Sequence, residues 1–119
     1  MKILILEDNA ERIFQFKKRL IDCNVTFTDI PKEAIDLLKN NKYDYLMLDH
    51  DLGDTFDVPG EGTGYEVANW IANNPEHAPD KIFIHTANNI GAAAMLNVLG
   101  NVGIRATYIP FLWEKINIT

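Results

Sequence analysis

Short apolar runs recur along this chain, and three of them stop at side chains that can do chemistry. Lys2–Leu6 stops at Glu7-Asp8, Tyr45–Leu48 at Asp49-His50-Asp51, and Lys81–Ile84 at His85-Thr86-Ala87-Asn88. Runs this short, without polar alternation, are expected for strands buried on both faces of a sheet. Asn24–Thr28 and Arg105–Ile109 complete a set of five expected strands. Between the strands the apolar spacing turns helical. Asp8-Asn9 can cap a helix over Ala10–Asp22 that presents Ile13, Phe16 and Leu20. Pro31 suits the first turn of the next helix, whose apolar face is Ala34, Ile35, Leu37 and Leu38. Gly64–Asn73 carries Val67, Trp70 and Ile71 and is stopped by Asn73-Asn74-Pro75. A fourth helix runs from about Asn89 to Leu99 and ends at Gly100, and Phe111–Ile116 has room for a short fifth.

Strands alternating with helices predict an α/β fold, a parallel sheet with right-handed crossovers, in one domain over residues 1–119. In such sheets ligands sit beyond the carboxyl ends of the strands, near a topological switch point. The residues that stop the runs are therefore the candidate site.

Charge sharpens this. The chain has 17 Asp+Glu against 11 Lys+Arg, a formal charge of −6. No Lys or Arg occurs between Tyr43 and Asp80, a stretch that holds Asp44, Asp49, Asp51, Asp54, Asp57, Glu61, Glu66, Glu76 and Asp80. An acidic chain is poorly suited to sequence-specific DNA binding or to broad phosphate neutralisation, so an RNA partner would be engaged at an end or as a fragment. The single cysteine, Cys23, forms no intramolecular disulfide and is expected to be a small buried or half-buried side chain, as in a cytoplasmic protein. The first apolar run is too short for a signal peptide or membrane span.

These motifs resemble response-regulator receiver domains over nearly the whole chain. The matching residues are the acidic pair Glu7-Asp8, Asp49 closing the third strand, Thr86-Ala87 after the fourth, and Gly64-Tyr65-Glu66 opening the third helix. The resemblance implies a flavodoxin-like sheet of order 2-1-3-4-5 with helices on both faces. It also implies a divalent metal, Mg²⁺ with Mn²⁺ as the substitute, on Glu7, Asp8 and Asp49, with Asp51 lending a carbonyl. Three features depart from the pattern. The lysine that precedes a proline after the fifth strand of receivers is replaced in Ile109-Pro110. The loop Gly53–Thr63 is expanded and carries Asp54, Asp57 and Glu61. Histidines stand beside the strand ends at His50 and His85. In Leu48-Asp49-His50-Asp51-Leu52-Gly53 and His85-Thr86-Ala87-Asn88 the chain is similar to the receiver-derived family named for cyclic-phosphate processing, whose members occur in bacteria and phages.

The residue types agree with that chemistry. Clustered carboxylates repel one another, and a hard divalent cation relieves the repulsion. Histidine exchanges protons near neutral pH, so His85 and His50 are candidates for proton transfer in opening a cyclic phosphate. Side chains alternate along a strand, so His50 either packs away from Asp49 under a helix or joins it through a bend at the strand end, and the same parity applies to His85 and Thr86. Thr86, Asn88 at a helix N-terminus, and Arg12 one turn beyond Asp8 are the candidates for holding phosphate. Asn88 reads equally as a helix cap, and Arg12 reads first as part of a solvated helix face, as do Lys17-Lys18-Arg19. His77 is expected in an exposed loop, and Gly60–Gly64 as a flap over the site or a partner-binding loop. The leading expectation is a receiver-like, metal-dependent phosphoesterase acting on cyclic phosphates. The alternatives are a stand-alone receiver phosphorylated on Asp49, and a non-catalytic interaction protein. A homodimer through Phe111 and Trp113 would suit the third.

Overall fold

The computed structural model describes residues 1–50, 63–86 and 88–109. Asp51, residues 53–62 of the expanded loop with its acids, the Gly60–Gly62 part of the flap, Ala87, Pro110 and the expected fifth helix with Phe111 and Trp113 lie outside the described residues.

The elements alternate as β1 (Lys2–Leu6), α1 (Ala10–Arg19), β2 (Asn24–Thr28), α2 (Pro31–Asn40), β3 (Tyr45–Leu48), α3 (Gly64–Asn73), β4 (Lys81–Ile84), α4 (Asn89–Gly100) and β5 (Ala106–Tyr108). All five strands pair in parallel, in the order β2-β1-β3-β4-β5. The expected fold class is therefore found. In the register Ile5, Met47 and Phe83 stand side by side, as do Leu6, Leu48 and Ile84.

Strand alternation divides the core into two layers. Leu4, Leu6, Leu46, Leu48, Ile82 and Ile84 face α2, α3 and α4, meeting Leu38, Val67, Ile71, Met95 and Leu99. Ile3, Ile5, Tyr45 and Met47 face the other way, against Phe16 and Leu20 at α1. Beyond the lysines that open β1 and β4, the central strands β1, β3 and β4 are apolar, as expected where both faces are covered. Cys23 is half-buried at the edge of the second layer.

Helix ends follow local chemistry. Asn9 accepts the Arg12 N–H at 3.0 Å and starts α1. Asn88 accepts the Gly91 N–H at 2.9 Å and starts α4. Helix α1 stops at Arg19, three residues short of its apolar pattern. Leu20 donates its N–H to Phe16, and Cys23 donates to Leu20, turning the chain back toward β2. Lys17, Lys18 and Arg19 are exposed on that last turn, where cations oppose the negative helix end. Strand β5 is shorter than Arg105–Ile109, although Ile109 still donates to the Ile84 carbonyl at 2.8 Å. His77 is not a free loop residue. It lies in a 3-10 turn over Pro75–His77, with its ring 5.4 Å from that of Trp70. Among the described residues no helix is long and apolar enough to cross a membrane.

Candidate functional site

The sheet register builds the site one residue beyond the strands. Asp49 donates its N–H to Leu6 O, and His85 donates to Leu48 O, so the ladder runs on past Leu6, Leu48 and Ile84. Glu7, Asp49 and His85 then form a row with the same parity as Ile5, Met47 and Phe83, on the α1 side of the sheet. All three are buried, and their ligand atoms lie within 4.8 Å of one another.

Glu7 is bonded from several sides. Oε2 accepts the N–H groups of Asp8 and Asn9 at 3.0 Å each. Arg12 clamps both oxygens, with Nε 2.6 Å from Oε1 and one terminal nitrogen 3.0 Å from Oε2. His85 Nε2 lies 3.1 Å from Oε1. Burial opposes ionisation of Glu7, but the hydrogen bonds from His85, Arg12 and Asn9 outweigh it and hold the carboxyl well below its usual range. An ionised Glu7 needs donors, so the His85 proton is assigned to Nε2. Among the described residues, His85 Nδ1 is the one buried side-chain nitrogen or oxygen without a hydrogen-bond partner. The imidazole is wedged against Phe16, with ring centroids 5.1 Å apart and planes at 74°.

Asp49 behaves oppositely. Burial and the negative charge of Glu7 push its carboxyl up to about 6, against the partial relief of His85, the Thr86 hydroxyl and Arg12. The same Arg12 nitrogen that holds Glu7 lies 3.2 Å from Asp49 Oδ2. Arg12 therefore turns inward and ties β1 to β3, in contrast to the solvated face expected of it. Its guanidinium is held still more firmly protonated, first by Glu7.

Alternation resolves the two histidines. His50 has the parity of Leu48 and lies on the α4 side, opposite Asp49. Asn88 Nδ2 is 3.4 Å from its Nδ1. A Cβ at Gly91 would come 2.8 Å from Nδ1 and closer to the ring carbons, so only glycine admits the imidazole there. Gly64 plays the same part at the start of α3, where a Cβ would overlap the Asp49 carbonyl oxygen. Thr86 follows the end of β4 by two residues. Its hydroxyl accepts the Asn88 N–H at 3.1 Å and bonds the Asp49 carboxylate. Thr86 and His85 thus both reach the row despite their alternation. Asp8 is exposed and stands outside the group of converging ligand atoms.

Tyr108 was not among the residues singled out in the sequence. Its hydroxyl reaches the Thr86 carbonyl at 3.0 Å and Asn89 Oδ1 at 2.7 Å, pinning the β4–α4 turn from β5. Only the placement of β5 beside β4 brings it there.

The cluster fits a small cation. Two carboxylates and an imidazole converge, and one guanidinium nitrogen already bridges both carboxylates.

The fold is that of response-regulator receivers. The response regulator TrrA from Thermotoga maritima, solved with Mg²⁺ and BeF, superposes with a TM-score of 0.68 at 21% identity, covering 96% of this chain and 90% of that one. The chemotaxis protein CheY4 from Vibrio cholerae gives 0.67 at 15% identity, with 98% and 88% covered. The non-phosphorylated HemR receiver domain from Leptospira biflexa gives 0.66 at 26% identity, with 93% and 82% covered. No curated protein matches the chain. The model of the cyclic-phosphate processing receiver domain matches residues 2–101, the span that contains Glu7, Asp49, His50, His85 and Thr86, and the chain belongs to that family.

Proposed function

We propose that this protein is a metal-assisted phosphoesterase that opens cyclic phosphates, at an RNA end or in a nucleotide. The observation that carries this reading is the row Glu7, Asp49 and His85 closed by Arg12. Glu7, Asp49 and His85 are the residues that would hold a divalent ion, Mg²⁺ or Mn²⁺. Such an ion supplies a Lewis acid for phosphoryl oxygen and lowers the pKa of water. His85 could ligate through Nε2 only with its proton moved to Nδ1, which would give up its donation to Glu7.

Hydrolysis adds one water. Its oxygen bonds phosphorus, one ring P–O bond breaks, and the departing oxygen takes a proton. An ion held by Glu7 and Asp49 would keep both carboxylates ionised, so the proton that leaves the attacking water and the one that reaches the departing oxygen would pass through the His85 imidazole when it is not itself a ligand. Arg12 is a nearby permanent positive charge, and the Thr86 hydroxyl and the start of α4 offer polar groups to phosphoryl oxygens. His50 acts through Asn88, which it buttresses from the other face, and does not touch the reacting atoms.

The test is ³¹P NMR of 2′,3′-cyclic and 3′,5′-cyclic nucleotides incubated with the protein and Mg²⁺ or Mn²⁺. Conversion to a phosphomonoester that D49N abolishes is expected. Unchanged spectra for both substrates with both ions would overturn the reading.

A receiver phosphorylated on Asp49 is a second reading, favoured by the Thr86 hydroxyl bound to the Asp49 carboxylate. Arg12 across the carboxylate and Ile109 in place of the lysine weigh against it. Treatment with a small phosphodonor and intact mass measurement separates the two: a stable phosphate gain lost in D49N supports phosphorylation.

A further inference from the structure

The described residues present several features that the proposed reaction leaves unused. They include Lys39 and His77 around Trp70, the exposed Ile90 and Phe14, and the Tyr108 clasp. The one whose geometry carries furthest is Arg12.

Arg12 belongs to the first turn of α1, and its side chain is 26% exposed while those of Glu7 and Asp49 are buried. Its guanidinium edge points inward and makes three bonds to the two carboxylates. The bond to Asp49 is the longest of the three, at 3.2 Å. A single positive charge thus stands over two carboxylates, at the point where a divalent ion held by Glu7 and Asp49 would have to sit. The two cations cannot share that point: a like charge a few ångströms away in a poorly solvated pocket is strongly repelled. The partly exposed side chain has a way out toward solvent, and a displaced guanidinium keeps its planar fork of donors, which matches phosphate oxygens. The chain also lacks the lysine after β5, with Ile109 buried in its place.

We propose that Arg12 is an exchangeable cation: it neutralises Glu7 and Asp49 until a divalent ion displaces it, and the displaced guanidinium then binds the phosphate of the substrate. This rests on the reading of Glu7, Asp49 and His85 as a divalent-ion site. It has two measurable consequences. Arg12 competes with the ion when no phosphate is present. With phosphate present, Arg12 helps the ion, because its alternative partner is then occupied. Ion and phosphate therefore bind cooperatively, and by linkage each tightens the other by the same factor.

The experiment measures Mn²⁺ binding to the full chain by the loss of the free-ion EPR signal, with and without methyl phosphate. R12A is compared with wild type, and R12Q is a second variant that keeps a polar N–H donor but removes the charge. Circular dichroism establishes that each variant is folded. Without methyl phosphate, the folded variant is expected to bind Mn²⁺ about tenfold more tightly than wild type. Methyl phosphate is expected to tighten Mn²⁺ binding several-fold in wild type and to leave the variant unchanged. Equal or weaker Mn²⁺ binding in both variants would overturn the exchange while leaving the ion site intact. So would a methyl phosphate effect that survives the loss of Arg12. Failure of wild type and both variants to bind Mn²⁺ would instead remove the ion site itself, and the exchange with it.

Discussion

His85 Nε2 and Glu7 Oε1 lie 3.1 Å apart, joining two buried residues separated by 78 positions in the chain. The contact exists because β1 and β4 flank β3 in one register, so the residues that follow Leu6 and Ile84 stand on the same face. It makes His85 a structural partner of Glu7 before any chemistry is considered.

Removing that partner has a predictable cost. H85A takes a donor from an ionised carboxylate and leaves a cavity beside Phe16. A loss of about 2–4 kcal/mol in stability is expected from urea unfolding. H85N, which returns an N–H donor, should recover part of it. Equal losses in the two variants would mean that the hydrogen bond contributes nothing.

Asp49 determines a pH dependence whose sign is fixed by its raised carboxyl. The folded protein binds this proton more tightly than the unfolded chain, whose carboxyl titrates at 3.8. The associated stability is complete below 3.8 and is lost as pH rises through about 6. Glu7 has the opposite sign: its contribution is complete above its ordinary 4.5 and is lost as pH falls below that. Between pH 7 and pH 5, Asp49 dominates. The wild-type protein should gain about 1–2 kcal/mol over that interval, and D49N should lack the gain. Denaturant midpoints at the two pH values measure both.

Gly91 is predicted to be coupled to His50. G91A puts a Cβ within 2.8 Å of His50 Nδ1 and nearer still to the ring carbons, so the imidazole must move. A destabilisation of about 1–3 kcal/mol is expected, although alanine is the better helix former. Truncating the ring removes the clash, so G91A in an H50A background should be neutral or stabilising. A double-mutant cycle by chemical denaturation reads the coupling directly.

The Tyr108 hydroxyl should be felt in the β4–α4 turn and hardly elsewhere. Y108F loses the bonds to the Thr86 carbonyl and to Asn89. Stability should fall by about 0.5–1.5 kcal/mol. Amide exchange at Asn88 should quicken while the amides of β1 stay protected. Unchanged exchange at Asn88 would show that the turn is held without Tyr108.

The fold was legible in the chain because its signals are local. The apolar runs of Lys2–Leu6, Tyr45–Leu48 and Lys81–Ile84, the spacing in α1 to α4, and Asn88 as a cap all act within a few residues. The end of α1 was misread, because the turn at Leu20–Cys23 depends on where β2 must begin, a demand set by pairing with β1 and invisible in helical spacing.

By itself the sequence determined which side chains stand at the strand ends: Glu7, Asp49 and His85 follow apolar runs whose lengths and patterns admit little else. Only the tertiary structure decided which of them meet. The parallel register put these three in one row, left Asp8 exposed, sent His50 to α4, drew Arg12 from a solvated face onto two carboxylates, and brought Tyr108 to the Thr86 turn. The reason is physical. Strand and helix periodicity are carried by neighbours in sequence, whereas partners for buried charge are chosen by register and by the need to neutralise and hydrogen-bond every carboxylate removed from water.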